Sequence, residues 1–152
     1  MPRLLRRTAT VCLVLFLAGS ATPAYQKSSP SPFPFAYMQQ GCAPTDALAL
    51  DFYFTSKKSE CGKYSEPFVR ISIWKDLPKA APYSIELVGS NGSASRCLRP
   101  GVCEAATSGS LRLDKFIEGK NSAGEYELYF RDGSIEKDKF DATSCQIKFM
   151  CG

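Results

Sequence analysis

Between Gly124 and Cys145 the chain reads GEYELYFRDGSIEKDKFDATSC. Tyr126, Leu128 and Phe130 alternate with Glu125, Glu127, Tyr129 and Arg131, and a period of two marks a strand with one face buried and the other wet. Asp132 and Gly133 tolerate the positive φ of a tight hairpin turn, so the chain is expected to return as a second strand carrying Phe140 and Ala142 inward. The same alternation recurs at Leu48, Leu50, Phe52 and Phe54, at Val69, Ile71 and Ile73, at Tyr83, Ile85 and Leu87, and at Leu111 and Leu113. Asn91-Gly92 and Arg99-Pro100-Gly101 are further turn signals, the first predicting a hairpin into the strand that starts at Ser93. A period of 3.6 is nowhere sustained. The expected fold is all-β: an antiparallel β-sandwich, or a partly closed barrel, of about eight strands over residues 42–152. Cys145, Ile147, Phe149 and Cys151 have the opposite parity to Phe140 and Ala142, which predicts a β-bulge near Thr143 or Ser144.

The first 24 residues have the layout of a Sec-type signal peptide: Arg3, Arg6 and Arg7, an apolar run from Val11 to Ala18, then small residues with a cleavage point after Ala24 or Ser20. The apolar run is too short for the ~20 residues that a membrane span needs, so no transmembrane segment is expected in the mature chain and the location is secreted or periplasmic. Residues 25–41, with Pro30, Pro32 and Pro34, read as an extended leader, whose last part, with Phe33, Phe35 and Tyr37 alternating, is expected either to dock as an edge segment or to float. Of 19 basic and 15 acidic residues, three arginines leave with the signal. Near-neutral charge without a basic face argues against a nucleic-acid partner.

Six cysteines remain after the signal takes Cys12: Cys42, Cys61, Cys97, Cys103, Cys145 and Cys151. An even number in an exported chain implies a disulfide framework. If Cys145 and Cys151 lie in one strand, they stand about 20 Å apart at ~3.3 Å per residue, beyond the span of a disulfide. Cys97 and Cys103 flank the Arg99-Pro100-Gly101 turn and are expected to pair. Cys42 and Cys61 then take Cys145 and Cys151 in an order left open.

The terminal pattern, Gly124, Tyr126, Leu128, Phe130, Asp132-Gly133, then Phe140, Ala142 and Cys145, resembles a set of small exported bacterial β-domain proteins of unknown function that end in such a hairpin. The resemblance covers about a quarter of the chain. It implies an exported β-domain and transfers no activity.

The chain has no histidine. The commonest general base and zinc ligand are therefore missing, and paired cysteines leave no thiol nucleophile. No catalytic residue, metal site or cofactor is expected. Asp51, Glu86, Glu125 and Glu127 fall on outward faces, as acids do on a solvated sheet. Asp132 to Asp138 lacks the ligand spacing of a calcium loop. Outward aromatics are the better hint of binding: Tyr53, Trp74 and Tyr129, with Arg70 and Ser72 on the face of Trp74, have the composition of a shallow ligand surface. The expected function is a non-catalytic binding or structural module of the cell envelope, its partner a glycan or an envelope protein. A carboxylate-dependent, glycosidase-like hydrolase is the alternative, and a protease-inhibitor-like loop protein built on CLRPGVC (Cys97 to Cys103) the third reading.

Overall fold

The computed structural model describes residues 31–87, 89–147 and 150–152. The expected signal peptide, the first part of the leader and Phe149 lie outside the described residues. Nine strands form one sheet: β1 (Phe35–Cys42), β2 (Leu48–Thr55), β3 (Phe68–Ile73), β4 (Tyr83–Glu86), β5 (Gly92–Arg99), β6 (Val102–Ala105), β7 (Ser108–Ile117), β8 (Asn121–Tyr129) and β9 (Ile135–Cys145). Their order is β4-β7-β8-β9-β1-β2-β3-β5-β6. Every neighbouring pair is antiparallel except β1 and β9, which run parallel from Ala36 opposite Ala142 to Gln39 opposite Cys145. The described residues contain no helix.

One face of the sheet carries the expected apolar rows. Phe52, Phe54, Val69, Ile71, Ile73, Leu111, Leu113, Leu128 and Ala142 are all essentially inaccessible and belong to one cluster with Met38, Ala94, Tyr126 and Phe130. A flat sheet could not assemble it. Phe54 of β2 and Tyr126 of β8 are three strands apart, about 14 Å at ~4.8 Å per strand, yet their ring centroids lie 4.5 Å from one another. The sheet therefore curls until β4-β7-β8-β9 lies over β1-β2-β3-β5-β6. The layers are sandwich-like and the ladder does not close into a barrel.

Arg96, an inward position of β5 in step with Ala94, plugs one end of this curl. Its guanidinium lies 4.0 Å from the Phe130 ring centroid, with the side chain 8% exposed. It donates to Glu104 Oε2 at 2.7 Å, to Asp132 Oδ2 at 2.7 Å and to Ser134 Oγ at 2.6 Å. Asp132-Gly133 forms the expected β8–β9 turn, with Gly133 at φ 81°. The turn is thus an anchor between the layers, and no metal set is needed to explain its acids.

Three sequence expectations are corrected. Residues 35–41, assigned to the leader, form β1 near the middle of the sheet, and Phe33 before them is buried in the core. Asn91-Gly92 does not make a hairpin: β4 pairs with β7 and β5 with β3. The segment is a corner between layers. Gly92 is required there because a Cβ would collide with the Ser72 carbonyl, while Asn91 caps Glu86 and accepts from the Trp74 amide. The β-bulge near Thr143 is also absent, since β8 and β9 pair without a slip from Tyr129–Ile135 to Asn121–Thr143. Cys145 points to the opposite face from Ala142 and is buried there all the same, because that face is covered too.

The disulfides are Cys42–Cys151, Cys61–Cys145 and Cys97–Cys103. The last joins directly opposed residues of the β5–β6 hairpin. The other two settle the order left open and close loops of 109 and 84 residues. Chain entropy scales with loop length. Replacing Cys97 and Cys103 by alanine should cost about 2 kcal/mol and replacing either long-range pair about 4 to 5 kcal/mol, measured by urea unfolding of the three double variants.

Ser134, through its hydroxyl and amide, and then Arg96 hold the Asp132 carboxyl down at about 2. A carboxyl lowered on folding contributes stability present above its unfolded value of ~3.9 and lost as pH falls through its folded one. Asp132→Asn should therefore unfold at lower urea than wild type at neutral pH, with the gap closing between roughly pH 4 and 2. Arg96→Ala should lower the midpoint far more than Arg112→Ala, whose ion pairs to Asp114 and Glu125 are half exposed.

Candidate functional site

The outer face of β1, β2 and β3 carries two cross-strand rows. In one, Tyr37, Tyr53 and Arg70 are opposed; in the other, Gln39, Asp51 and Ser72. Period-two logic expects all six to be wet. The loop 56–67 instead folds back over β1 and β2, stapled by Cys61–Cys145. Its Tyr64 stacks on Tyr53 at 4.2 Å and lies 5.3 Å from Tyr37. The Tyr64 hydroxyl donates to Gln39 Oε1 at 2.8 Å, and the Ser59 amide donates to the Tyr37 hydroxyl at 2.8 Å. Burial raises the Tyr53 and Tyr64 phenols above their ordinary values, so both stay neutral hydrogen-bond donors at neutral pH.

Asp51 organises what lies beside this cover. Its carboxylate is buried, with the side chain 3% exposed, and both oxygens are engaged: Arg70 Nη2 donates to Oδ2 at 2.9 Å and the Ser72 hydroxyl donates to Oδ1 at 2.5 Å. The indole N–H of Trp74 in turn donates to Ser72 Oγ at 3.0 Å. Gly41 makes room, because a Cβ there would run into the Asp51 carboxylate. Arg70, 39% exposed, also sits 5.7 Å from the Tyr53 ring centroid. The contacts make a continuous chain, Trp74–Ser72–Asp51–Arg70–Tyr53–Tyr64, in which the indole, guanidinium and phenol are half-buried around a fixed anion.

Of the five residues expected to bind, four gather here: Trp74, Arg70, Ser72 and Tyr53. Ser72 is buried rather than exposed; it positions Trp74 and offers no free hydroxyl. Tyr129 is elsewhere, on the outer face of β8, hydrogen-bonded to Glu127. Asp51, read as a solvated acid, is instead the buried hub. Sequence reasoning passed over Tyr64 and Gly41, which sit in a turn-rich loop and at a strand end and carry no periodic signal.

The other acids considered for catalysis, Glu86, Glu125 and Glu127, line a depression on the β4-β7-β8-β9 half together with Arg112, Lys137 and Lys139. Glu125 pairs with Arg112 at 3.2 Å and Glu127 with Lys137 at 2.9 Å, a ladder of cross-strand ion pairs. The Tyr129 hydroxyl and Lys137 hold the Glu127 carboxyl below its usual range, opposite to the raised value of a general acid. Among the described residues no group of three His, Cys, Asp or Glu side chains is placed to hold a metal ion. The CLRPGVC hairpin presents Leu98 and Val102, each about half exposed.

The fold and this face define a disulfide-stapled all-β domain with an ordered aromatic and cationic surface. No family model, curated protein or solved structure matches the chain.

If Gly41 exists to house the Asp51 carboxylate, the two positions must be coupled. Asp51→Ala should cost about 3 kcal/mol by stranding Arg70 and Ser72, and Gly41→Ala about 1 to 3 kcal/mol by overpacking. The double variant should cost clearly less than their sum in a denaturation cycle.

Proposed function

We propose that this chain is a non-catalytic binding module, exported by its N-terminal signal and working at the cell envelope or outside the cell, which meets its ligand on the Trp74–Arg70–Tyr53 face. The observation that carries the reading is the buried Asp51 carboxylate. It holds Arg70 directly and Trp74 through Ser72, so a stacking group and a cationic donor are fixed before any ligand arrives. Preorganised side chains lose little conformational entropy on binding. An indole beside a guanidinium suits a flat ligand with hydroxyl or acidic substituents, such as an envelope glycan. The location is supported by three disulfides, which persist in an oxidising compartment, and among the described residues no helix is long and apolar enough to cross a membrane.

Trp74→Ala and Arg70→Ala should each abolish retention on a cell-wall or polysaccharide matrix. Trp74→Ala should lower the thermal midpoint only modestly, because the indole keeps part of its surface in water. A large fall in the midpoint with retention intact would make Trp74 a packing residue and sink the proposal.

A further inference from the structure

The two ends of the curled sheet are unlike. Arg96 and its acids close one. At the other, where β1 ends, β2 begins and β9 runs out, the core opens into a cleft of about 330 Å³. Its wall is apolar: Met38, Leu50, Leu77, Pro78 and Phe116. Leu50 and Phe116 continue the inward rows of β2 and β7 but are only partly buried.

The rim is built. The β7–β8 turn is tied to the end of β9 by Ser144 N to Lys120 O at 3.0 Å and Gln146 Nε2 to Gly119 O at 3.3 Å. The β1–β2 turn is closed by Ala43 N to Ala47 O at 2.8 Å. A preformed, mostly apolar cleft with a few polar groups at its mouth is the usual form of a small-molecule site. Among the described lining residues one side chain is charged, Glu118 at the rim. A carboxylate there favours a positive head group and repels a negative one.

We infer that this mouth is a second binding site, independent of the Trp74 face, for a small cationic amphiphile: an alkyl or aryl group seated against Leu50, Leu77 and Phe116, with an amine or quaternary ammonium beside Glu118.

The test uses the disulfide-bonded protein titrated with decyltrimethylammonium and with decyl sulfate, both below their micelle concentrations, by calorimetry and amide chemical shifts. The ammonium should bind saturably at one site, with shifts at Met38–Gln40, Leu48–Leu50 and Phe116–Gly119, and about three-fold or more tighter than the sulfate. Leu77→Ala, which removes apolar contact without adding charge, should weaken both probes by roughly ten-fold, and Glu118→Lys, a surface change that spares the fold, should reverse the order of the two probes. Trp74→Ala should change neither, which separates this site from the glycan face. Absence of saturable binding, equal affinity for both heads, an order unchanged by Glu118→Lys, or shifts confined to the Trp74 face would each overturn the inference.

Discussion

The fold depends on a short parallel seam. β1 and β9 meet over four residue pairs, Ala36–Ala142 to Gln39–Cys145, and among the described residues this is the only ladder joining β4-β7-β8-β9 to β1-β2-β3-β5-β6. Parallel pairs are slightly weaker per residue than antiparallel ones, and this pair brings together segments from opposite ends of the described chain. Both long-range disulfides act here: Cys42 ends β1, Cys145 ends β9, and their partners Cys151 and Cys61 lie on segments that cross the same region. The covalent links therefore sit where non-local contact is most needed and least supported by local turns.

With the seam in place, burial does the rest. Each half offers one apolar face, and the two can leave water together only if the sheet curls about the seam. The interleaving of Phe52, Phe54, Tyr126 and Phe140 across it is the result. A curled sheet has two open ends, and this chain treats them differently. One receives an arginine whose charge is matched by Glu104, Asp132 and the more distant Glu136. The other is left apolar. The first pins the layers in register; the second leaves accessible space.

The outer face of the central strands is the part that simple alternation misread. Outward positions of β1 and β2 are as buried as inward ones, with Ala49, Asp51, Thr55, Tyr37 and Gln39 all nearly inaccessible. The cause is a loop of little periodicity held down by one disulfide and by Tyr64. Under that cover a carboxylate needs partners, and Arg70 and Ser72 supply them. The candidate site is the margin of the covered zone, where Trp74 and Arg70 are ordered from below and remain open above.

The sequence by itself determined the all-β class, most of the inward rows, the Asp132-Gly133 and Arg99-Pro100-Gly101 turns, and the Cys97–Cys103 pair, because each is settled within one strand or hairpin by periodicity and turn chemistry. It also placed Trp74, Arg70 and Ser72 on one outer face, since alternate residues of a strand share a face, and pointed Tyr53 outward on its own strand; that the two adjoin was decided by the pairing of β2 with β3. Only the tertiary structure decided that residues 35–41 are a central strand, that Asn91-Gly92 turns a corner between layers, which long-range cysteines pair, and that Asp51 is buried under Gly41, Arg70 and Ser72. Those outcomes depend on which segments meet across long separations, and the free energy of such meetings comes from the curl of the whole sheet, which no local pattern encodes.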